Sequence, residues 1–269
     1  MELAREAETK DVEQVPAPPA PVLAAPRHAR LLELQRTAGN RAVNQLLRKE
    51  LGPQQQGTVS KHVEEKLVTP SAKGETSFHW DARFAYEIWD DSVVAYVNIR
   101  MDDSWVGEAT GKKVRDEARE AFREIWNRKY AIVTPHWYGD DVRVLSLGID
   151  FIQSDLSDEP IHAYVTLMPG APSSSEPTNR SVWHVDEPAR VHAHEPGHLF
   201  GLKDEYVDTN VESRSDVGKQ DVHEDNSIMG NFPAEGIDTA QMKARHALAI
   251  AKMVYADAGK STDITVKKL

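Results

Sequence analysis

The sequence predicts an α+β domain, and three observations carry that expectation. Strand-like runs crowd the stretch from about Ser77 to Met168; one apolar helical stripe interrupts them; helical patterns return only afterwards. Strands first, with helices packed on them and following them, is the order expected of α+β rather than α/β architecture. The runs "ARFAYEIW" and "VVAYVNIRM" read as two strands joined at Asp90-Asp91-Ser92, a hairpin. Between 112 and 128, Val114, Ala118, Phe122, Ile125 and Trp126 share one face of an amphipathic helix. "VRVLSLGIDFI" and "IHAYVTLM" are two further strands, and "RSVWHV" is a short edge strand. "DTAQMKARHALAIAKMVYA" is a closing helix, for which Asp238 or Thr239 is the expected cap.

Ahead of this domain the chain changes character. Residues 1–29 are polar and then Pro/Ala-rich ("PAPPAPVLAAP"), a leader with nothing to bury and expected to be disordered. Residues 30–51 place Leu31, Leu32 and Leu34, then Val43, Leu46 and Leu47, at helical spacing around Thr37-Ala38-Gly39-Asn40. Glycine and asparagine end helices readily, so this is read as a short helical hairpin, too small to fold alone. Residues 52–76 are polar and are read as a linker, which puts the globular domain at 77–269.

Composition narrows the function. The net charge is −11, from 32 basic and 43 acidic residues, and no basic run is long enough to neutralise a phosphate backbone, so nucleic acid is not an expected partner. The chain has no cysteine, so disulfides and thiolate metal sites are excluded, and any metal must be held by His, Asp or Glu. The first residues, "MELAREAETK", have no apolar signal region, and no run approaches a membrane span. The expectation is a protein of the bacterial cytoplasm before export, or one exported without a Sec signal.

The chemistry concentrates in "VHAHEPGHLFGLKDEY", residues 191–206. His194-Glu195-Pro196-Gly197-His198 is an HExxH string. Residues four apart project from one helix face, so two imidazoles can take one zinc ion, with the glutamate aimed at a water it holds. By composition alone such a string arises in roughly one chain per hundred of this length or fewer. Gly201 stands where a helix must stop sharply, which suits a residue that reaches positive φ freely. Asp204, three residues further, is then placed as a third ligand.

The full string HExxHxxGxxD, followed downstream by Ser227-Ile228-Met229-Gly230, resembles the metzincin zinc metallopeptidases in their snapalysin-like variant with an aspartate ligand. The resemblance covers about residues 77–260. It implies a zincin-like twisted mixed sheet with a packed helix, an active-site helix and a C-terminal helix. It also implies zinc on His194, His198 and Asp204, Glu195 as general base and acid, and Met229 as an apolar floor beneath the metal. Family members often carry a tyrosine two residues after that methionine; here the position is Asn231, so no tyrosine carries over.

Neighbouring residues are read more plainly. His192 lies on another helix face from His194 and is taken as a non-ligand, and His184 as a surface histidine. Glu205 is taken as a supporting or surface carboxylate, and Tyr206 as a packed or surface tyrosine. The acids of loop 207–226 lack the alternation of a calcium loop and are read as solvated. Pro196 is the anomaly. Inside a helix starting near Pro188 it costs about 3 kcal/mol, so a kink or wide turn at 192–196 is expected, or else a helix that starts only at the motif.

The segment "LLELQRTAGNRAVNQLL" resembles an N-terminal segment of bacterial polymorphic toxins and of cargo proteins linked to extracellular contractile injection systems. With the motif, it implies a zinc endopeptidase acting on a protein or peptide, delivered as an effector or toxin, with residues 30–51 contacting the injection machinery. The alternative reading is a catalytically weak or inactive metzincin-like binding module, or an injection-system adaptor.

Overall fold

The computed structural model describes residues 52–153, 159–173 and 177–269. The leader 1–29 and the helical hairpin 30–51 lie outside the described residues. Residues 52–76, expected to be a linker, instead contain strand β1 (Gln55–Lys66), which pairs antiparallel along its whole length with β2 (Ser77–Ile88). The domain therefore begins before residue 77. The strand escaped detection because only Val59, Val63 and Glu65 of β1 are buried, and one of those three is charged. Period-two hydrophobicity cannot show a strand that hides a carboxylate on its inner face.

A mixed sheet follows. After the expected hairpin, β3 (Ser92–Asp102) pairs antiparallel with the end of β2 and then parallel with β5 (Asp141–Phe151) and β6 (Ala163–Met168). β4 (Tyr130–Thr134) and the C-terminal β8 (Thr265–Lys268) extend the far edge antiparallel, and neither was anticipated, being five and four residues long. Among the strands β7 (Val182–His184) pairs with β6, which fits the expected short edge strand, and its Val182 also bridges Asn179. β2 leaves β3 after Ala85↔Tyr96, and β6 takes over the same side of β3 from Ile99 onward. The sheet thus splays between the start of β2 and the β6–β7 pair.

Helix α1 (Glu108–Trp126) buries the predicted stripe, and its Phe122 and Trp126 rings stack at 5.6 Å. Phe122 also stacks at 6.0 Å on Phe200, just past α2 (Ala189–Leu199). α1 and α2 are further joined by Trp126 Nε1 donating to the Ala193 carbonyl at 2.9 Å. A one-turn helix α3 (Phe232–Glu235) precedes α4 (Ala244–Asp257). The closing helix starts six residues later than the sequence indicated, with Lys243 and not Asp238 or Thr239 at its cap; Ile237–Thr239 form a separate 3₁₀ turn. Short apolar spacing alone does not distinguish that turn from the first turn of a helix.

One half-buried histidine makes the fold acid-sensitive. His162 Nδ1 accepts the Asn98 backbone N–H at 2.9 Å, so it must be unprotonated. Burial, with Arg83 nearby, lowers its pKa to about 4 from an ordinary 6.5. The unfolded chain then binds the extra proton first, so this stabilisation is complete above about pH 6.5 and lost as pH falls through about 4. His162→Gln is expected to flatten the pH dependence of urea unfolding between those values. An unchanged slope in the variant would assign the acid sensitivity elsewhere.

Candidate metal centre

Helix α2 runs as uninterrupted α-helix from Ala189 to Leu199 with Pro196 inside it. Neither a wide π-type turn nor a late start at the motif is present, which corrects those two expectations. Two tryptophans hold the segment in place. Trp126 takes the Ala193 carbonyl, and Trp80 of β2 donates from Nε1 to the His198 carbonyl at 2.9 Å while its ring meets the His198 ring edge-on. Packing of this kind routinely overrides local propensity. Gly197 is needed at its position: a Cβ there would come within 2.4 Å of Met229 Sδ and 3.3 Å of the Trp126 ring.

The helix ends as the glycine promised. Gly201 has φ +81°, its N–H donates to His198 O at 2.9 Å, and the Leu202 N–H donates to Gly197 O at 3.1 Å. That pair of bonds is a Schellman closure. It also turns the Leu202 carbonyl back to accept from His198 Nδ1 at 3.0 Å. His194 Nδ1 likewise donates to the Ile228 carbonyl at 2.7 Å. With both Nδ1 atoms so engaged, both Nε2 atoms are left as lone-pair donors aimed at one point, the arrangement typical of metal-ligating histidines. Gly201→Ala is expected to destabilise the domain by about 1–2 kcal/mol through left-handed strain alone. Weaker metal retention should accompany the loss, because the same turn orients His198. Calorimetry and metal content on one preparation test both; a variant as stable as wild type would show the conformation to be relaxed.

Asp204 arrives from the other side. Its Oδ1 lies 3.2 Å from His194 Nε2 and 3.4 Å from His198 Nε2, and the three ligand atoms are all within 4.8 Å of one another. Oδ1 is buried and has no aligned hydrogen bond. A buried carboxylate oxygen without an aligned hydrogen bond, facing two ring nitrogens, is an environment a cation can complete. Burial works against ionisation of Asp204, yet the adjoining histidines hold it well below the ordinary carboxylate range. Burial likewise opposes the charge on His198, but Asp204 outweighs it and pushes the ring up to about 9. Protons and a metal therefore compete for the same nitrogens.

Glu205, the next residue, anchors this turn. Its backbone N–H donates to Met229 O at 2.7 Å, and its carboxylate takes Arg245 twice at 2.6 Å, Ser227 at 2.6 Å and His246 at 3.0 Å. It is a buried supporting carboxylate. Met229 is fully buried beneath Gly197. Tyr206, read as packed or surface, belongs to the site: its hydroxyl donates to Asp204 Oδ2 at 3.1 Å. His192 is a non-ligand as expected, bonded to the His184 carbonyl at 3.0 Å and stacked on Trp183. His184 is buried rather than on the surface, its Nδ1 3.1 Å from the Thr178 hydroxyl. The sequence offered no sign of Arg214, which is 3% exposed and reaches Glu65 Oε2 at 3.0 Å and Asp204 Oδ2 at 3.5 Å. A lone arginine in a polar loop has no periodicity to betray it.

Glu195 is 6% exposed, with burial raising its carboxyl above the ordinary range. It sits where two hollows meet. One, of about 580 Å³, is lined by charged groups including Glu65, His79, Arg180, Asp208 and Arg214. The other, of about 450 Å³, is walled by Pro172, Val191, Phe232 and Pro233, with Glu187 among its lining. Pro177, Thr178, His194, Glu195 and Tyr206 border both.

These features define an α+β protein with a part-buried His-His-Asp group that could hold a metal ion, open to a cleft on either side. No family model, curated protein or solved structure matches the chain.

Proposed function

We propose that this chain is a zinc-dependent endopeptidase. The observation that carries the reading is the convergence of His194, His198 and Asp204 on one point, with Glu195 buried beside it where the two hollows meet. Two imidazoles and a carboxylate suit zinc, and zinc with a free coordination position activates water and polarises a carbonyl. The rest of the chemistry falls to the protein. Among the described residues no ion pair or hydrogen bond engages the Glu195 carboxylate, and its raised pKa suits a group that takes a proton from water and returns it to the leaving amine. The split cleft accommodates an extended peptide crossing the site.

The test is metal content. Purified wild type is expected to carry about one zinc per chain, and His198→Ala to lose it together with chelator-sensitive peptide hydrolysis. Wild type that binds no zinc after reconstitution would falsify the assignment. For its biological setting, we propose an effector or toxin delivered by a Sec-independent injection system, supported by the "LQRTAGNRAV" segment. Deleting residues 30–51 should abolish recruitment and leave hydrolysis intact. The second reading, a metal-holding binding or adaptor module, is favoured by Pro196 within α2 and by Asn231 in place of a tyrosine. Zinc bound without cleavage of any peptide in a broad library would select it.

A further inference from the structure

The 450 Å³ hollow differs from its neighbour in having an apolar wall, supplied by Pro172, Val191, Phe232 and Pro233. Two acidic side chains line it, Glu187 and the Glu195 of the metal centre. Among the described residues Glu187 Oε2 is buried and has no hydrogen-bond partner. The residue is set there by the chain turn between β7 and α2: its backbone N–H donates to His184 O at 3.2 Å, and Pro188 follows as the helix cap. No lysine or arginine is among the residues that line this hollow.

A buried carboxylate oxygen without a donor is costly to keep charged; the Thr178 side chain offsets part of that cost at the carboxylate, but burial outweighs it and raises the Glu187 carboxyl, as does nearby Glu195. A cation brought in by a ligand would relieve that cost. The apolar wall would at the same time cover the methylene stem of a long side chain, as such walls do for lysine and arginine. Resting on the endopeptidase reading, we infer that Glu187 makes this hollow a specificity pocket for a lysine or arginine side chain of the substrate, next to the bond that is cut. A large apolar side chain would fill the same volume but leave the buried oxygen unsatisfied, and a short acidic one would be repelled.

Binding and cleavage separate the two ideas. The full-length chain carrying Glu195→Gln, loaded with zinc, is titrated with fluorescent octapeptides of alanine in which lysine or its neutral isostere norleucine is moved along the chain. At one position lysine should bind about tenfold or more tighter than norleucine. Adding Glu187→Gln should erase that preference, and Glu187→Asp should retain part of it. Norleucine bound as well as lysine at every position, a lysine preference that survives Glu187→Gln, or no peptide bound at all overturns the pocket assignment. If the lysine preference stands but wild type cleaves none of these peptides, the endopeptidase reading fails and the pocket remains.

Discussion

Glu195→Gln is expected to lower kcat for peptide hydrolysis by about three orders of magnitude while KM and bound metal stay near wild type. Glutamine matches glutamate in shape, so the buried slot on α2 is filled as before. It cannot accept a proton from water, and general acid–base groups contribute about 10²–10⁴-fold. The ligand atoms belong to His194, His198 and Asp204, and none of them bonds Glu195, so the ion should remain. That retention distinguishes a lost base from a lost site. Zinc analysis and steady-state kinetics on one sample decide it, and full activity in the variant would remove Glu195 from the chemistry.

Arg214→Met should be the most destabilising single change around the cleft. The guanidinium is buried with Glu65, each side chain 3% exposed, and it also leans on Asp204 and lies over the Tyr206 ring. Removing one partner of a buried ion pair leaves an uncompensated charge, at a cost of about 3–5 kcal/mol. Burial already lifts the Glu65 carboxyl above its ordinary range even with Arg214 in place, and without that cation it rises further. A carboxyl whose folded pKa is raised holds its proton longer in the folded state, so acidification favours folding and the deficit should shrink from pH 7.5 to pH 5.5. Arg214→Met with Glu65→Met, which removes both charges, should restore much of the stability. Urea unfolding of single and double variants at both pH values is the measurement. A single variant as stable as wild type at pH 7.5 would show that water already compensates Glu65.

Much of the site can be read in sixteen residues because its logic is local. The i,i+4 spacing brings His194 and His198 to one helix face, and Gly201 turns the chain so that Asp204 returns to them. The fold was legible where apolar periodicity was strong, as in β2, β3, β5 and α1. It was not legible in β1, whose inner face carries Glu65, nor at the start of α4, where a 3₁₀ turn imitates a helical one. The α-helical path through Pro196 was not legible either: proline's local penalty is visible in the sequence, the tryptophans that hold α2 in place are not.

By itself, then, the sequence determined the α+β class, the helix that carries two imidazoles and the glycine that ends it, because each depends on residues within a few positions of one another. Only the tertiary structure decided which charges are buried against that cluster. Glu65, Arg214 and Tyr206 come from a strand, a 3₁₀ turn and a loop separated by as many as 149 positions, and Glu187 borders a hollow that forms only when the start of α2 and the segments around Pro172 and Pro177 meet the turn after Met229. Whether a polar side chain is solvated or enclosed is set by what folds over it, and contacts over such separations leave no period in the chain.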